Sequence, residues 1–203
     1  MRAILLPIKP EEALNILNGK QTALLRKRVP RFYVGWVYCY VPKGKPYLFY
    51  KNGYGHFWTL ERKKQGIFYE KDFDDLANGT IPFRFWLDDH IALEYTKENN
   101  KYFPKTVRDF NKLNAEQILK RLCLTREEFK QYGNGKDVYV WKIDKLEVFD
   151  KPMQLNDFGV ENPDGENIGA FGWAYTEEEL PRYLRLKKAP KNYQYVGLGE
   201  QNE

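Results

Sequence analysis

Residues 4–30 read ILLPIKPEEALNILNGKQTALLRKRVP, and the order of signals in this stretch decides the fold. Residues 4–8 are apolar and short, which predicts a strand. Pro10 stands where the first helical residue is expected, with Glu11 and Glu12 in the first turn, where the helix dipole favours carboxylates. Ala13, Leu14 and Leu17 supply an apolar stripe at helical spacing. Asn18 and Gly19 end it, Gly19 being suited to a left-handed cap. Thr22 to Leu25 then predicts a second strand, which runs into a basic cluster of Arg26, Lys27, Arg28 and Arg31.

Outward from this opening, the pattern stays rich in strands. Residues 36–41, WVYCYV, alternate with period two. Asn78-Gly79 is a tight-turn signal. It leads into a strand on which Ile81, Phe83, Phe85 and Leu87 share one face, with Pro82 marking an edge position or a bulge. HIALEY continues or pairs with that strand. Residues 97–113 read as a polar loop. Asn114 caps a helix over AEQILKRL, and Thr125 with Glu128 forms a capping box for a second helix, REEFKQYG, which Gly133 stops. Two helices in succession would suit a helix-turn-helix. Glu127 and Glu128 count against it, because they stand where a reading helix would meet base edges. VYVWKI and KLEVFD predict a hairpin about Asp144-Lys145, residues 176–180 a helical turn, and NYQYVGL a closing strand.

Composition narrows the class. The chain has 203 residues and 16% aromatics, with 15 Tyr, 13 Phe and 5 Trp, which favours pleated, half-buried surfaces. The same rings can serve as stacking platforms for bases. Net charge is +5, which favours an anionic partner such as RNA or DNA. The two cysteines, Cys39 and Cys123, are far apart and lack metal-site spacing, so two buried thiols in a reducing cytosol are expected. The first twelve residues do not read as a signal peptide. No run approaches the roughly 20 apolar residues of a membrane span, and mean hydropathy is −0.70. The expectation is a cytoplasmic protein with no membrane partner, no cofactor and no metal.

These segments resemble the ASCH family of the PUA-like superfamily. ASCH domains open with a strand, a helix ending in Gly, and a G-x-K-T-x-E-x-R strand, and Gly19, Thr22 and Arg26 match that pattern. NGTIPFRFWLDD is similar to the family's NGKVV-x-EF strand. CLTREEFKQYGNGKDVYVWKIDKLEVFDKPMQLNDF is similar to its middle, and KAPKNYQYV to its closing RPPQSWCYV. The resemblance is greatest to small ASCH proteins of phages and mobile elements. It implies an α+β fold: a PUA-like curved mixed β-barrel with short helices packed at the rim, as a single domain over 1–203 with insertions at 51–75 and 159–186. It also implies a cleft between the first helix, the motif strand and neighbouring loops, and an RNA ligand, in some relatives a modified or flipped base.

Candidate nucleic-acid-binding residues follow. Lys20, Arg26, Lys27, Arg28 and Arg31 offer phosphate contacts, Arg with a bidentate fork. On a continuous strand, Arg26 and Arg28 would point one way and Lys27 the other. Phe32, Trp36, Tyr38, Tyr40, Tyr139 and Trp141 could stack a base, with Tyr38 and Trp141 preferred and Lys142 beside them. Gln21 and Thr22 lie in the motif pocket. The family's N(4)-acetylcytidine amidohydrolases use a Lys and a Thr of this motif. Here Gln21 replaces the Lys, and Leu24 brings no hydroxyl, so no catalytic residue is assigned. A hydrolase acting on N(4)-acetylcytidine or RNA is the alternative function. A scaffold that binds a host protein through its insertions is another. Asp88, Asp89 and His90 are neighbours on alternating faces, so a solvated turn is expected there.

Overall fold

The computed structural model describes residues 2–51, 56–60, 76–98, 101–104, 113–160, 186 and 188–198. The chain divides into two compact units: Met1–Leu14, Gly35–Phe85 and Glu147–Glu203 form the first, Asn15–Val34 and Trp86–Leu146 the second.

The first unit is built on a six-stranded sheet. β1 (Arg2–Pro7) lies between β3 (Gly35–Tyr40), to which it is parallel, and β12 (Gln194–Leu198), to which it is antiparallel. β6 (Ile81–Leu87) and β10 (Asp144–Met153) extend the sheet beyond β3, and β11 (Phe158–Val160) extends it beyond β12. Ala3, Ile4 and Leu5 are all fully buried. A central strand covered on both faces explains why this run is continuously apolar rather than alternating. One face packs Ala3, Leu5, Tyr38, Tyr40, Ile81, Phe158 and Val196 into a core cluster.

Beside the sheet, β4 (Tyr47–Lys51) and β5 (His56–Leu60) pair antiparallel, Phe49 opposite Trp58. The turn expected at Asn78 does more than reverse the chain. Asn78 Oδ1 accepts from Leu48 N at 2.6 Å, and Nδ2 donates to the carbonyls of Pro42, Gly44 and Pro46. One nearly buried side chain therefore gives three carbonyls of the 42–46 loop a donor.

The second unit carries a four-stranded sheet in the order β2 (Ala23–Arg26), β9 (Val138–Lys142), β7 (His90–Thr96), β8 (Lys101–Pro104). Ala23, Leu25, Ile91, Leu93, Val138 and Val140 pack with Leu122 and Phe129. Leu122 belongs to α2 (Ala115–Leu122) and Phe129 to α3 (Arg126–Gly133). Both helices begin on complete capping boxes, Asn114 with Gln117 and Thr125 with Glu128, each worth about 0.5–2 kcal/mol. The stop expected at Gly133 falls one residue later: Gly133 is the last residue of α3, and Asn134, at φ +48°, is the left-handed cap. Gly133 instead makes room for β8, since a Cβ there would collide with Tyr102 Oη. That hydroxyl is buried without a hydrogen-bond partner among the described residues. α1 (Pro10–Leu17) spans the predicted helix, and Gly19 has φ +69°, the left-handed cap expected of it.

Several expectations are corrected. Among the described residues the strands pair as separate sheets of six, four and two, and no ladder closes them into a barrel, which would require unbroken pairing around a ring. What stands is a mixed α+β fold. The polar 97–113 stretch contains β8. β7 pairs with β8 and β9, not with β6. VYVWKI and KLEVFD form no hairpin. β9 and β10 join different sheets, and Lys145, at φ +43°, follows directly on the junction. Alternation cannot reveal this, since two adjacent strands read alike whether or not they pair.

Ile81, Phe83, Phe85 and Leu87 are all buried, as a shared face requires. β6 lies inside the sheet, so Pro82 does not mark an edge strand. Residues read as insertions lie mostly outside the described ones, as does the helical turn at 176–180.

Candidate nucleic-acid interface

The motif strand and the residues after it belong to the second unit. β2 pairs antiparallel with β9, Leu24 opposite Trp141 and Arg26 opposite Tyr139. β2 ends at Arg26, so Lys27 and Arg28 lie in a bend beyond it, and strand parity does not sort their side chains. Lys20, Lys27, Arg28 and Arg31 are exposed, and Arg26 is half-buried with its guanidinium donating to Leu25 O at 2.8 Å. No carboxylate among the described residues pairs with Lys20, Arg28 or Arg31. Lys27 Nζ stands 5.5 Å from the centroid of the exposed Tyr132 ring.

This basic bend is anchored from below. Pro30 is buried, and the indole N–H of Trp141 donates to Arg28 O at 3.2 Å. Trp141 itself is fully buried. It cannot offer a face to a base; it holds the backbone that carries the cations. The residue that does offer a ring is Phe32. It is fully exposed, at 105% of its reference area, and its φ is +52°. A bulky side chain at positive φ costs about 1–3 kcal/mol of local strain, and such outliers concentrate at functional sites. Val34, also exposed, follows it.

Other expected residues are occupied. Gln21 is buried, and its side-chain amide donates to Ala23 O at 2.9 Å, which removes it from base reading in this arrangement. Leu24 is fully buried. Thr22 is exposed, with its backbone N–H on Arg121 O. Lys142 lies 3.5 Å from both Asp88 and Asp144, so its charge is already shared between two carboxylates. Asp89 accepts from His90 N. Cys123 is not the buried thiol expected. It is an exposed left-handed cap at φ +54° whose Sγ donates to Lys20 O at 3.3 Å. Desolvation still raises its pKa, with the Lys20 charge acting in the opposite sense.

Tyr38 belongs to the first unit and is 2% exposed, its ring edge-on to Phe158 at 5.1 Å. Packing that favoured it as core also removes it as a stacking platform. Its hydroxyl, however, accepts from Arg84 Nη1 at 2.6 Å. Arg84 Nε donates to Glu147 at 2.7 Å, and the guanidinium carbon stands 4.1 Å from the Trp36 ring and 5.8 Å from that of Phe149. The sequence signal for this group was present: Arg84 is the one charge in the apolar run IPFRFWL.

No family model matches the chain, and no curated protein matches it. Among solved structures, the ASCH protein from Zymomonas mobilis aligns at TM-score 0.49 and 11% identity, covering 96% of this chain and 87% of that one. Two point mutants of that protein align at TM-scores of 0.49 and 0.45. A likeness at this level is loose and fixes neither family nor function. Among the described residues no helix is long and apolar enough to cross a membrane.

Proposed function

We propose that this chain is a nucleic-acid-binding module of the ASCH kind that its opening motif resembles, with single-stranded RNA as the ligand. The observation that carries the reading is Phe32: a strained, fully exposed aromatic set among Lys27, Arg28 and Arg31 on a bend pinned by Trp141. Cations along a backbone-tracking surface give affinity, and a ring between them takes a base of any identity. Unpaired bases can reach such a ring, whereas bases in a duplex cannot. Hydrolysis finds less support. Gln21 cannot usefully exchange a proton, and Leu24 lies in the core.

Fluorescence anisotropy with a labelled single-stranded RNA tests this. Binding is expected to weaken steeply with salt. Arg28→Ala with Arg31→Ala should lower the slope of log affinity against log salt by roughly 1–2. Phe32→Ala should weaken binding about tenfold, the effect of losing one base stack. The same sequence as DNA, lacking the 2′-hydroxyl, tests the preference for RNA. Absence of binding to either nucleic acid at low salt would end the proposal.

A further inference from the structure

The first unit holds a polar group that neither the basic bend nor the motif accounts for. Tyr38 on β3, Arg84 on β6, and Glu147 and Phe149 on β10 come from three adjacent strands of one sheet. An arginine in an apolar strand needs partners for its charge and for five N–H donors. Here it finds one carboxylate oxygen and one phenol oxygen. The contact with Glu147 is a single bond through Nε, not the bidentate fork that would use both donors of that edge. The Tyr38 hydroxyl accepts from Arg84, which leaves its own hydrogen to donate. No acceptor for that hydrogen lies within bonding distance among the described residues.

The group is therefore rich in donors and poor in acceptors. Burial pulls the Arg84 pKa down, but the bonds to Glu147 and Tyr38 outweigh it and hold it above the ordinary arginine value. The guanidinium stays charged. Its stack on Trp36 matters for geometry, because an arginine lying against a ring keeps its in-plane N–H groups directed outward. The side chain is 24% exposed. Trp36 and Phe149, both half-buried, flank it with apolar surface.

We infer that Arg84 and the Tyr38 hydroxyl form an oxyanion-binding site, and that its ligand is a nucleoside monophosphate whose phosphate bridges the two donors while its planar base lies against Phe149. Glu147 is a positioning residue: it fixes the guanidinium through Nε and leaves the other edge free. The inference stands apart from the RNA reading, since it uses none of residues 20–34.

Calorimetric titration of the full chain with cytidine monophosphate, cytidine and inorganic phosphate is the test. The nucleotide is expected to bind, and cytidine at least tenfold more weakly. Tyr38→Phe keeps the ring and its packing and removes one donor. It should weaken nucleotide binding about tenfold, the effect of one hydrogen bond to a charged group. Arg84→Lys keeps the charge without the fork and should weaken it further. Nucleotide binding that Tyr38→Phe leaves unchanged, equal affinity for nucleotide and nucleoside, or no binding of phosphate or nucleotide would each overturn the inference.

Discussion

Two places in this molecule combine arginine with aromatic rings, and they dispose of their interactions in opposite ways. Around Arg84 the Tyr38 ring is buried and those of Trp36 and Phe149 are half-buried against the core, and the guanidinium bonds a phenol and a carboxylate. Beyond Arg26, the side chains of Lys27, Arg28, Arg31 and Phe32 are exposed, and the fixing is done from beneath by Trp141. Residue types alone do not separate the two. What separates them is whether the strand continues. Arg84 sits within a strand and is gathered into its sheet. β2 stops at Arg26, and everything after it is left outside the ladder.

The sharpest way to break this comparison is to exchange core for surface. Trp141→Ala removes a fully buried indole and the bond to Arg28 O, and should cost about 3–5 kcal/mol of stability. Denaturant unfolding measures it. A loss below 1 kcal/mol would mean that Trp141 is not the anchor. Asn78→Ala comes next. It deletes the donor to three carbonyls and the acceptor for Leu48 N, and should cost roughly 2–3 kcal/mol, with the 42–46 amides gaining hydrogen exchange first. Uniform exchange across the chain would place the support of that loop elsewhere.

The smallest effect is on the surface of α3. Glu128 accepts from the Thr125 backbone N–H and hydroxyl, and both bonds lower its pKa. A lowered folded-state pKa means a contribution present above the ordinary glutamate value and lost as pH falls through the folded one. The α3 amides should therefore exchange faster only in acid, below the range in which free glutamate titrates. Faster exchange setting in near neutrality would show that the capping box is not its source.

The parts legible in the sequence were those fixed by local chemistry. The capping residues Asn114 and Thr125, the stop at Gly19 and the turn at Asn78-Gly79 are each set within a few residues, and each lies where the pattern put it. Pairing partners were not legible. β9 and β10 are consecutive and alternate alike, yet they serve different sheets, a choice made by contacts distant in sequence. The candidate site divides along the same line. The basic run was plain from residues 26–31. Trp141, Tyr38 and Gln21 were chosen for chemistry that burial then enclosed. Phe32 carries no mark in the sequence beyond its neighbours. Its value comes from a backbone angle, and Arg84 was overlooked because its strand was read only as apolar.

The fit of Tyr102 against Gly133 joins a helix to the margin of a sheet. β8 is the outermost strand of its sheet among the described residues, and it covers one side of β7. Even the methyl of alanine at 133 would have to push the phenol of β8 away. The absent carbon on the last residue of α3 is thus the space that a tyrosine of the border strand fills.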